Sequence, residues 1–329
     1  MKRRNSLAAL AALLAVPRAF AQTPAAGPVR RIGFIDALVT GSPDSRAARA
    51  AFERGLLQAG WIEGRNLTIE YRSTGGRPDQ YAPVAAEMVR LNPEIILTAG
   101  DALIREVGNA TSTIPIVMAT VGDPVLAGFT ESLARPGRNI TGMSNLAVGL
   151  VGKWVELLRE VTRQGAVFAV LRNLANTTHD RFWQEAERAS GLAAVKTVSF
   201  GYHDPAEIDE VLARIARAKL NGLLVLADPV VTARTADIAQ FALKNRLPSI
   251  YLFREPVVAG GLMSYGPSRS DNYRRAAGYV DKILRGAKVA ELPIEQVREF
   301  ELAFNAKTAA ALGIRVPHSI MLRTTEVIE

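Results

Sequence analysis

Short apolar runs alternate with longer segments of helical periodicity in the first half of the chain. Ile32–Ala37 and Leu67–Tyr71 have strand length, and Pro43–Ala59 between them carries apolar residues at helical spacing. The alternation continues with predicted strands at Ile95–Thr98 and Ile116–Ala119. These strands lack polar alternation, which is typical of parallel strands covered by helices on both faces. The pattern therefore predicts an open, parallel α/β sheet.

A second series of the same kind follows. Strands are predicted at 166–171, 194–200, 222–227 and 249–252, with helical segments between them. The tail, 260–312, adds a strand, a helix, a last strand and a small helix, too little for a third domain. The predicted fold class is therefore α/β, with two Rossmann-like lobes whose parallel sheets are joined by a multi-strand hinge.

The N-terminus has the three parts of a secretory signal peptide. A basic start (Lys2, Arg3, Arg4) precedes the apolar segment Leu7–Val16, and Ala19-Phe20-Ala21 is a small-x-small cleavage site. We expect residues 1–21 to be removed and the protein to lie in the periplasm. The Arg3-Arg4 pair leaves both the general and the twin-arginine export routes open. The chain has no cysteine, so we expect no lipid anchor on an N-terminal cysteine and no thiol chemistry.

The net charge does not favour a nucleic-acid partner. The formal charge is +8, and Lys2, Arg3, Arg4 and Arg18 carry four of these charges. The remainder, +4, is mild, and its basic residues are spread along the chain.

Motifs of nucleotide-binding and hydrolytic enzymes are missing from the sequence. No G-x-G-x-x-G follows the first strand, and neither a P-loop nor a G-x-S-x-G motif occurs. His179, His203 and His318 lack metal-ligand spacing, and we expect all three on the surface. Trp154 and Trp183 lie at helical positions, which indicates packing. We expect neither an enzyme nor a cofactor or metal.

The candidate ligand site follows from the strand ends, because ligands of open parallel sheets bind beyond the carboxyl ends of the strands. Gly122 can expose backbone amides, and Tyr251 and Phe253 can stack on a ligand. Asp123 can either cap the turn before Pro124 or meet an ammonium group, and both readings stay open. The predicted ligand-binding residues are Asp36, Gly100, Asp101, Thr120, Gly122, Asp123, Thr141, Asn173, Asn176, Thr177, Tyr202, Asp228, Tyr251, Phe253 and Glu255.

Two long segments carry a family resemblance. VGDPVLAGFTESLARPGRNITGMSN, residues 121–145, and the stretch from REPVVAGGLMSYGP to AAALGI, residues 254–314, resemble the substrate-binding component of a family of bacterial ABC importers. The resemblance extends over essentially the whole chain after the signal peptide.

The resemblance implies a type 1 periplasmic-binding-protein fold with the ligand between two lobes, and a permease and an ATPase as partners. It places lobe 1 at 28–142 plus 265–290 and lobe 2 at 143–264 plus 291–329. Some relatives bind aromatic or other amino acids. Two segments depart from the family pattern. Ala99–Ala102 has an acid where a small hydroxyl is usual, which puts the usual carboxylate contact there in doubt, and Asn173–Thr177 keeps its asparagines but loses its prolines.

These observations predict a monomeric solute-binding protein that captures a small polar ligand by hinge closure. The acids at the strand ends favour a ligand with an amine, such as an amino acid or a related zwitterion that also carries a carboxylate. A periplasmic sensing module for a membrane receptor is the alternative. A secreted hydrolase on the same scaffold is a further class, and a DNA-binding repressor is disfavoured by the export signal.

Overall fold

The computed structural model describes residues 28–145 and 147–329. The predicted signal peptide, 1–21, lies outside these residues. The described chain folds into two α/β lobes, each built on one sheet with helices on both faces.

The sheet of the first lobe has six strands, all parallel, in the order β11-β5-β4-β3-β1-β2. Ile32 in β1, the strand next to the edge strand β2, pairs with Ile69 on one side and Ile95 on the other. The strands are β1 (Arg30–Asp36), β2 (Leu67–Ser73), β3 (Ile95–Thr98), β4 (Ile116–Met118), β5 (Ile140–Ser144) and β11 (Glu295–Gln296).

The sheet of the second lobe has seven strands in the order β13-β12-β10-β9-β8-β6-β7. It is parallel except where β10 meets β12. The strands are β6 (Val167–Asn173), β7 (Lys196–Tyr202), β8 (Gly222–Val225), β9 (Ser249–Tyr251), β10 (Met263–Gly266), β12 (Glu301–Asn305) and β13 (Glu326–Ile328).

Helices cover both faces of each sheet. The helices of the first lobe are α1 (Pro43–Gln58), α2 (Tyr81–Arg90), α3 (Asp101–Ala110) and α10 (Arg269–Leu284). Those of the second lobe are α4 (Ala147–Glu160), α5 (Thr178–Leu192), α6 (Ile208–Arg217), α7 (Pro229–Ala233), α8 (Thr235–Lys244), α9 (Glu255–Val258), α11 (Ala306–Leu312) and α12 (His318–Arg323).

Local sequence signals explain where these elements begin and what they bury. The Ser42 side chain accepts a hydrogen bond from the Ser45 amide and caps α1, with Pro43 at its first position as predicted. Every residue of β3 and β8 is buried, which confirms strands covered on both faces. Each lobe accordingly has two apolar clusters, one on either face of its sheet.

The chain crosses between the lobes three times, after β5, after β10 and after β11. At three short segments, the sheet to which the residues belong differs from the lobe in which the expected boundaries placed them. Residues 143–144 and 295–296 pair within the first sheet, and 265–266 within the second, because β11 adds to β5 and β10 pairs with β12. The short elements β11, β13, α9 and α12 were not predicted, since two to six residues carry no readable periodicity.

Candidate functional site

A cleft lies where the carboxyl ends of the two sheets face each other. Residues after β1, β3 and β4 form its first wall, and residues after β6, β8 and β9 form the second. The cavity volume of the cleft is about 70 Å³. The position agrees with the prediction from the strand ends.

The two walls touch, so the cleft is closed over. A Cβ placed on Gly100 of the first lobe would lie 3.1 Å from Cγ of Pro229 in the second. A Cβ on Gly122 would lie 3.1 Å from Cγ2 of Thr178. Glycine at these positions allows backbone of one lobe to approach side chains of the other.

Aromatic side chains from both lobes line the cleft. They are Trp154, Phe182, Phe253 and Tyr273, together with the imidazole of His179, which stacks on Phe182 at a centroid distance of 5.7 Å. The Trp154 indole is fully buried and donates a hydrogen bond to the Tyr265 carbonyl at 2.6 Å. Trp154 therefore packs in the core, as predicted, and also forms part of the cleft.

Asp101 links two strand ends of the first lobe. Its Oδ1 accepts a hydrogen bond from the Gly122 amide at 3.2 Å, and its Oδ2 has no hydrogen bond to a described residue. Asp101 is the first residue of α3 after Gly100, whose φ of +86° favours glycine. The expected role of Gly122 changes accordingly: its amide is occupied by Asp101, whose second oxygen remains available to a ligand.

Asp228 is held by the second lobe from several sides. Its Oδ1 accepts hydrogen bonds from the Val230 amide at 2.9 Å, capping α7, and from the Tyr202 hydroxyl at 3.3 Å. Its Oδ2 accepts a hydrogen bond from the side-chain amide nitrogen of Asn173 at 3.2 Å. Burial and the negative charge of Asp228 raise the pKa of the Tyr202 hydroxyl. Asp228 thus organises the second wall of the cleft and has less free acceptor capacity than Asp101.

His179 is buried, and the prediction that it lies on the surface was wrong. Its Nδ1 accepts a hydrogen bond from the backbone N–H of Asn173 at 3.0 Å. The ring proton is therefore on Nε2, which donates to the Ala227 carbonyl at 3.2 Å. Burial lowers its pKa, against the opposing effect of Asp228 and Asp101. The neutral imidazole ties the ends of β6 and β8 together. His203 and His318 are exposed, as predicted.

Arg269 is the one cation among the described residues that line the cleft. Its side chain is 9% exposed, and its guanidinium lies over the Phe253 ring with Cζ 4.1 Å from the centroid. The Nε is enclosed without a hydrogen-bond partner in the described chain, and Glu255 Oε1 lies 3.8 Å away. Sequence reasoning missed Arg269, because it begins a helix after a crossing and follows no strand directly.

Seven of the predicted site residues line the cleft: Gly100, Asp101, Thr120, Gly122, Asn176, Asp228 and Phe253. Eight do not: Asp36, Asp123, Thr141, Asn173, Thr177, Tyr202, Tyr251 and Glu255. Asn173 and Tyr202 stand behind the wall and hold Asp228. Whether the lining residues contact a ligand stays a prediction.

Asp36 and Asp123 have local hydrogen-bond partners away from the cleft. Asp36 accepts hydrogen bonds from the Leu38 amide and the Ser45 hydroxyl, and burial raises its pKa. Asp123 Oδ1 accepts from the amides of Val125 and Leu126, which favours the turn-cap reading.

Thr141 and Tyr251 have other contacts, and Tyr251 lines a smaller pocket that shares Phe253 and Arg269 with the cleft. Thr141 donates to the Leu292 carbonyl at 2.8 Å. The Tyr251 ring packs so closely on Gly261 that a Cβ there would lie 2.4 Å from Cε2.

Several lining residues carried no strand-end signal. Trp154, His179 and Phe182 lie on helices that follow the crossing or β6, and Tyr273 and Arg269 lie on α10. A weak signal was available, because the first turn of a helix that follows a parallel strand faces the same edge of the sheet as the strand end.

The family model for ABC transporter substrate binding proteins matches residues 35–328. The chain belongs to this family. The "Tyrosine-binding protein" of Clostridioides difficile (strain R20291) is 23% identical to this substrate-binding protein over 273 residues, 83% of this chain and 78% of the relative.

Solved structures share the fold of this substrate-binding protein. A conserved domain protein of Vibrio cholerae is 25% identical with a TM-score of 0.84, and an ABC domain of Streptococcus pneumoniae in complex with L-Trp is 20% identical with a TM-score of 0.83. Each comparison covers 91% of this chain and 99% of the neighbour. The predicted type 1 periplasmic-binding-protein fold is thereby confirmed. Within the described residues of this substrate-binding protein, no helix combines the length and apolarity needed to cross a bilayer.

Proposed function

We propose that the protein is the extracytoplasmic solute-binding component of an ABC importer and captures a small organic ligand that carries an ammonium group. The observation that carries this proposal is the interlobe cleft in which Asp101 presents a free carboxylate oxygen between aromatic walls. Family membership supports the transport role.

The charged end of the ligand belongs at Asp101. An ammonium group there would form a charge-assisted hydrogen bond with Oδ2, while Oδ1 stays fixed by the Gly122 amide. Because Asp228 already accepts three hydrogen bonds, it contributes mainly negative potential to the same cleft.

The uncharged part of the ligand belongs between the aromatic side chains. Phe182 and Trp154 in the second lobe offer apolar surface to a ring or a large aliphatic group. An L-Trp complex and a tyrosine-binding protein among the relatives support an aromatic amino acid as the first candidate.

Binding operates through closure of the lobes. The ligand contacts Asp101 in one lobe and the aromatic wall in the other, so it binds the closed form better than the open one. Only this difference in affinity shifts the equilibrium towards the closed form.

Isothermal titration calorimetry of the purified protein with the twenty amino acids and their decarboxylated amines tests the proposal. We expect at least one ammonium compound to bind and Asp101→Asn to weaken it about 10- to 100-fold, the range of a charge-assisted hydrogen bond. Asp123→Asn is the matched control, because Asp123 caps a turn off the cleft, and it should leave the affinity unchanged. Failure of all ammonium compounds to bind, or full affinity in Asp101→Asn, contradicts the proposal.

Delivery to a permease is tested in cells. Deleting the gene should abolish uptake of the radiolabelled ligand, and expressing the wild-type chain should restore it. Unchanged uptake with a lost signalling response would instead favour the sensing alternative.

A further inference from the structure

We propose that Arg269 binds a carboxylate of the ligand at the hinge end of the cleft, so that the solute is a zwitterion and not a simple amine. This assignment rests on the proposed function, and it adds the second charged group that the ligand must carry.

The first argument is the state of the Arg269 side chain. It is buried and lines the cleft, yet no hydrogen bond joins its guanidinium to a described residue. A buried donor without a partner costs about 1–3 kcal/mol. Buried polar groups of native proteins are nearly always paired. A ligand oxygen would supply the missing acceptor.

The second argument is the charge around Arg269. Asp36 and Asp44 lie close enough to Arg269 for its charge to act on them, although burial raises the pKa of both carboxyl groups, and Glu255 is a third acid nearby. The shortest contact, from Nε to Glu255 Oε1, is 3.8 Å, too long for a hydrogen bond, and Glu255 Oε2 is likewise buried without a hydrogen-bond partner in the described chain. The three acids therefore compensate the positive charge at a distance and leave its directional donors unfilled.

The third argument excludes the other positions for an anion. The start of α3 would attract a carboxylate, but the Asp101 carboxylate already lies there and holds the Gly122 amide. The start of α7 is occupied in the same way by Asp228. An incoming carboxylate is repelled at both helix starts, and Arg269 is the remaining group that attracts it.

The guanidinium is also held in position. It lies over the Phe253 ring, which restricts its movement and reduces the entropy lost on binding. A planar guanidinium fixed this way can donate two parallel hydrogen bonds to one carboxylate, which a lysine ammonium cannot match.

Matched pairs of probes test the assignment: L-tryptophan against tryptamine, and L-tyrosine against tyramine. Each amine keeps the ring and the ammonium group and lacks only the carboxylate. For the wild-type protein we expect the amino acid to bind about 10- to 100-fold more tightly than its amine, the range of charge-assisted hydrogen bonds. Arg269→Lys should weaken the amino acid at least about tenfold and leave the amine within about threefold.

The amine is the internal control for folding, because a distorted cleft would weaken both members of a pair. Arg274→Lys is the matched control variant, since Arg274 lies on the exposed side of the same helix and pairs with Asp271. It should change neither affinity.

Three results would overturn the assignment. The first is equal affinity of the wild type for the amino acid and its amine. The second is an equal loss of both affinities in Arg269→Lys. The third is an equal loss of both affinities in Glu255→Gln, which would show that Arg269 serves as the structural partner of Glu255. Binding of the amines alone sinks the carboxylate assignment and leaves the proposed function intact. Binding of no ammonium compound sinks the proposed function itself.

Discussion

Adding one methyl group to Gly122 should weaken ligand binding while leaving the fold of the first lobe intact. Gly122 is not among the glycines with positive φ, so alanine adds no backbone strain. The new Cβ would lie 3.1 Å from Thr178 Cγ2 and 3.4 Å from Phe182 Cζ, both in the second lobe, and at an ordinary contact distance of 3.5 Å from Asp101 Oδ2 in its own lobe. The clash therefore exists only when the lobes meet, and the open form relieves it.

The size of the effect follows from these distances. Carbon atoms pack best at about 3.5–4.0 Å, so Thr178 must move by roughly 0.4 Å or more. Overpacking of this kind typically costs about 1–3 kcal/mol. Because the cost falls on the closed, ligand-bound form, the dissociation constant should rise about 5- to 150-fold.

The assay is calorimetry of Gly122→Ala with the amino acid that binds the wild type, combined with urea unfolding of the ligand-free protein. Gly278→Ala is the matched control, because it adds the same methyl group on α10 where no atom lies within 4 Å. Wild-type affinity in Gly122→Ala would refute the reasoning, since the ligand-bound form could not then have the contacts described.

Three further changes have expected outcomes. Gly278→Ala should raise the free energy of unfolding, measured in urea, by about 0.5–1 kcal/mol, because alanine reduces the conformational entropy of the unfolded chain and its methyl group has room on the folded helix. A decrease would contradict this. Burial lowers the pKa of His179 in the folded protein. The contribution of the neutral imidazole to stability is therefore present above about pH 6.5 and is lost as the pH falls below that value, because the unfolded chain then binds the proton more readily. Thermal unfolding from pH 8 to 5 should show that loss, with a slope of up to about 1.4 kcal/mol per pH unit, and His179→Gln but not His203→Gln should flatten it. Asp228→Ala should lower the free energy of unfolding by about 2–4 kcal/mol, because three donors lose their acceptor, whereas Tyr202→Phe should cost less than about 1.5 kcal/mol in the same denaturation experiment.

The strands could be predicted from the sequence, and so could the edge of the sheets at which the cleft lies. Both predictions have a physical basis. A strand buried on both faces must be apolar throughout, so β3 and β8 are visible as runs without any partner being known. The parallel arrangement then collects the strand ends at one edge. Both steps depend only on local composition and topology.

Side-chain directions at that edge could not be predicted in the same way. Asp101 and Asp123 both follow a buried strand, and composition does not separate them. Asp101 begins a helix and reaches the Gly122 amide, whereas Asp123 caps its own turn at Val125 and Leu126. The difference comes from turn geometry, and the place of Arg269 similarly depends on how α10 crosses the hinge.

The arrangement of charge and apolar surface in the cleft ties selectivity to closure. The free oxygen of Asp101 lies in the first lobe and Phe182 lies in the second, so a ligand that uses both groups must contact both walls. A small ammonium compound without a ring would contact Asp101 but gain little from Phe182, and it would bind open and closed forms with similar affinity. A solute that reaches both walls favours the closed form by the contacts it makes across the cleft. Under the proposed function, we expect discrimination between solutes to take place in the closing step, so that a weak ligand occupies the first lobe without bringing the second lobe onto it.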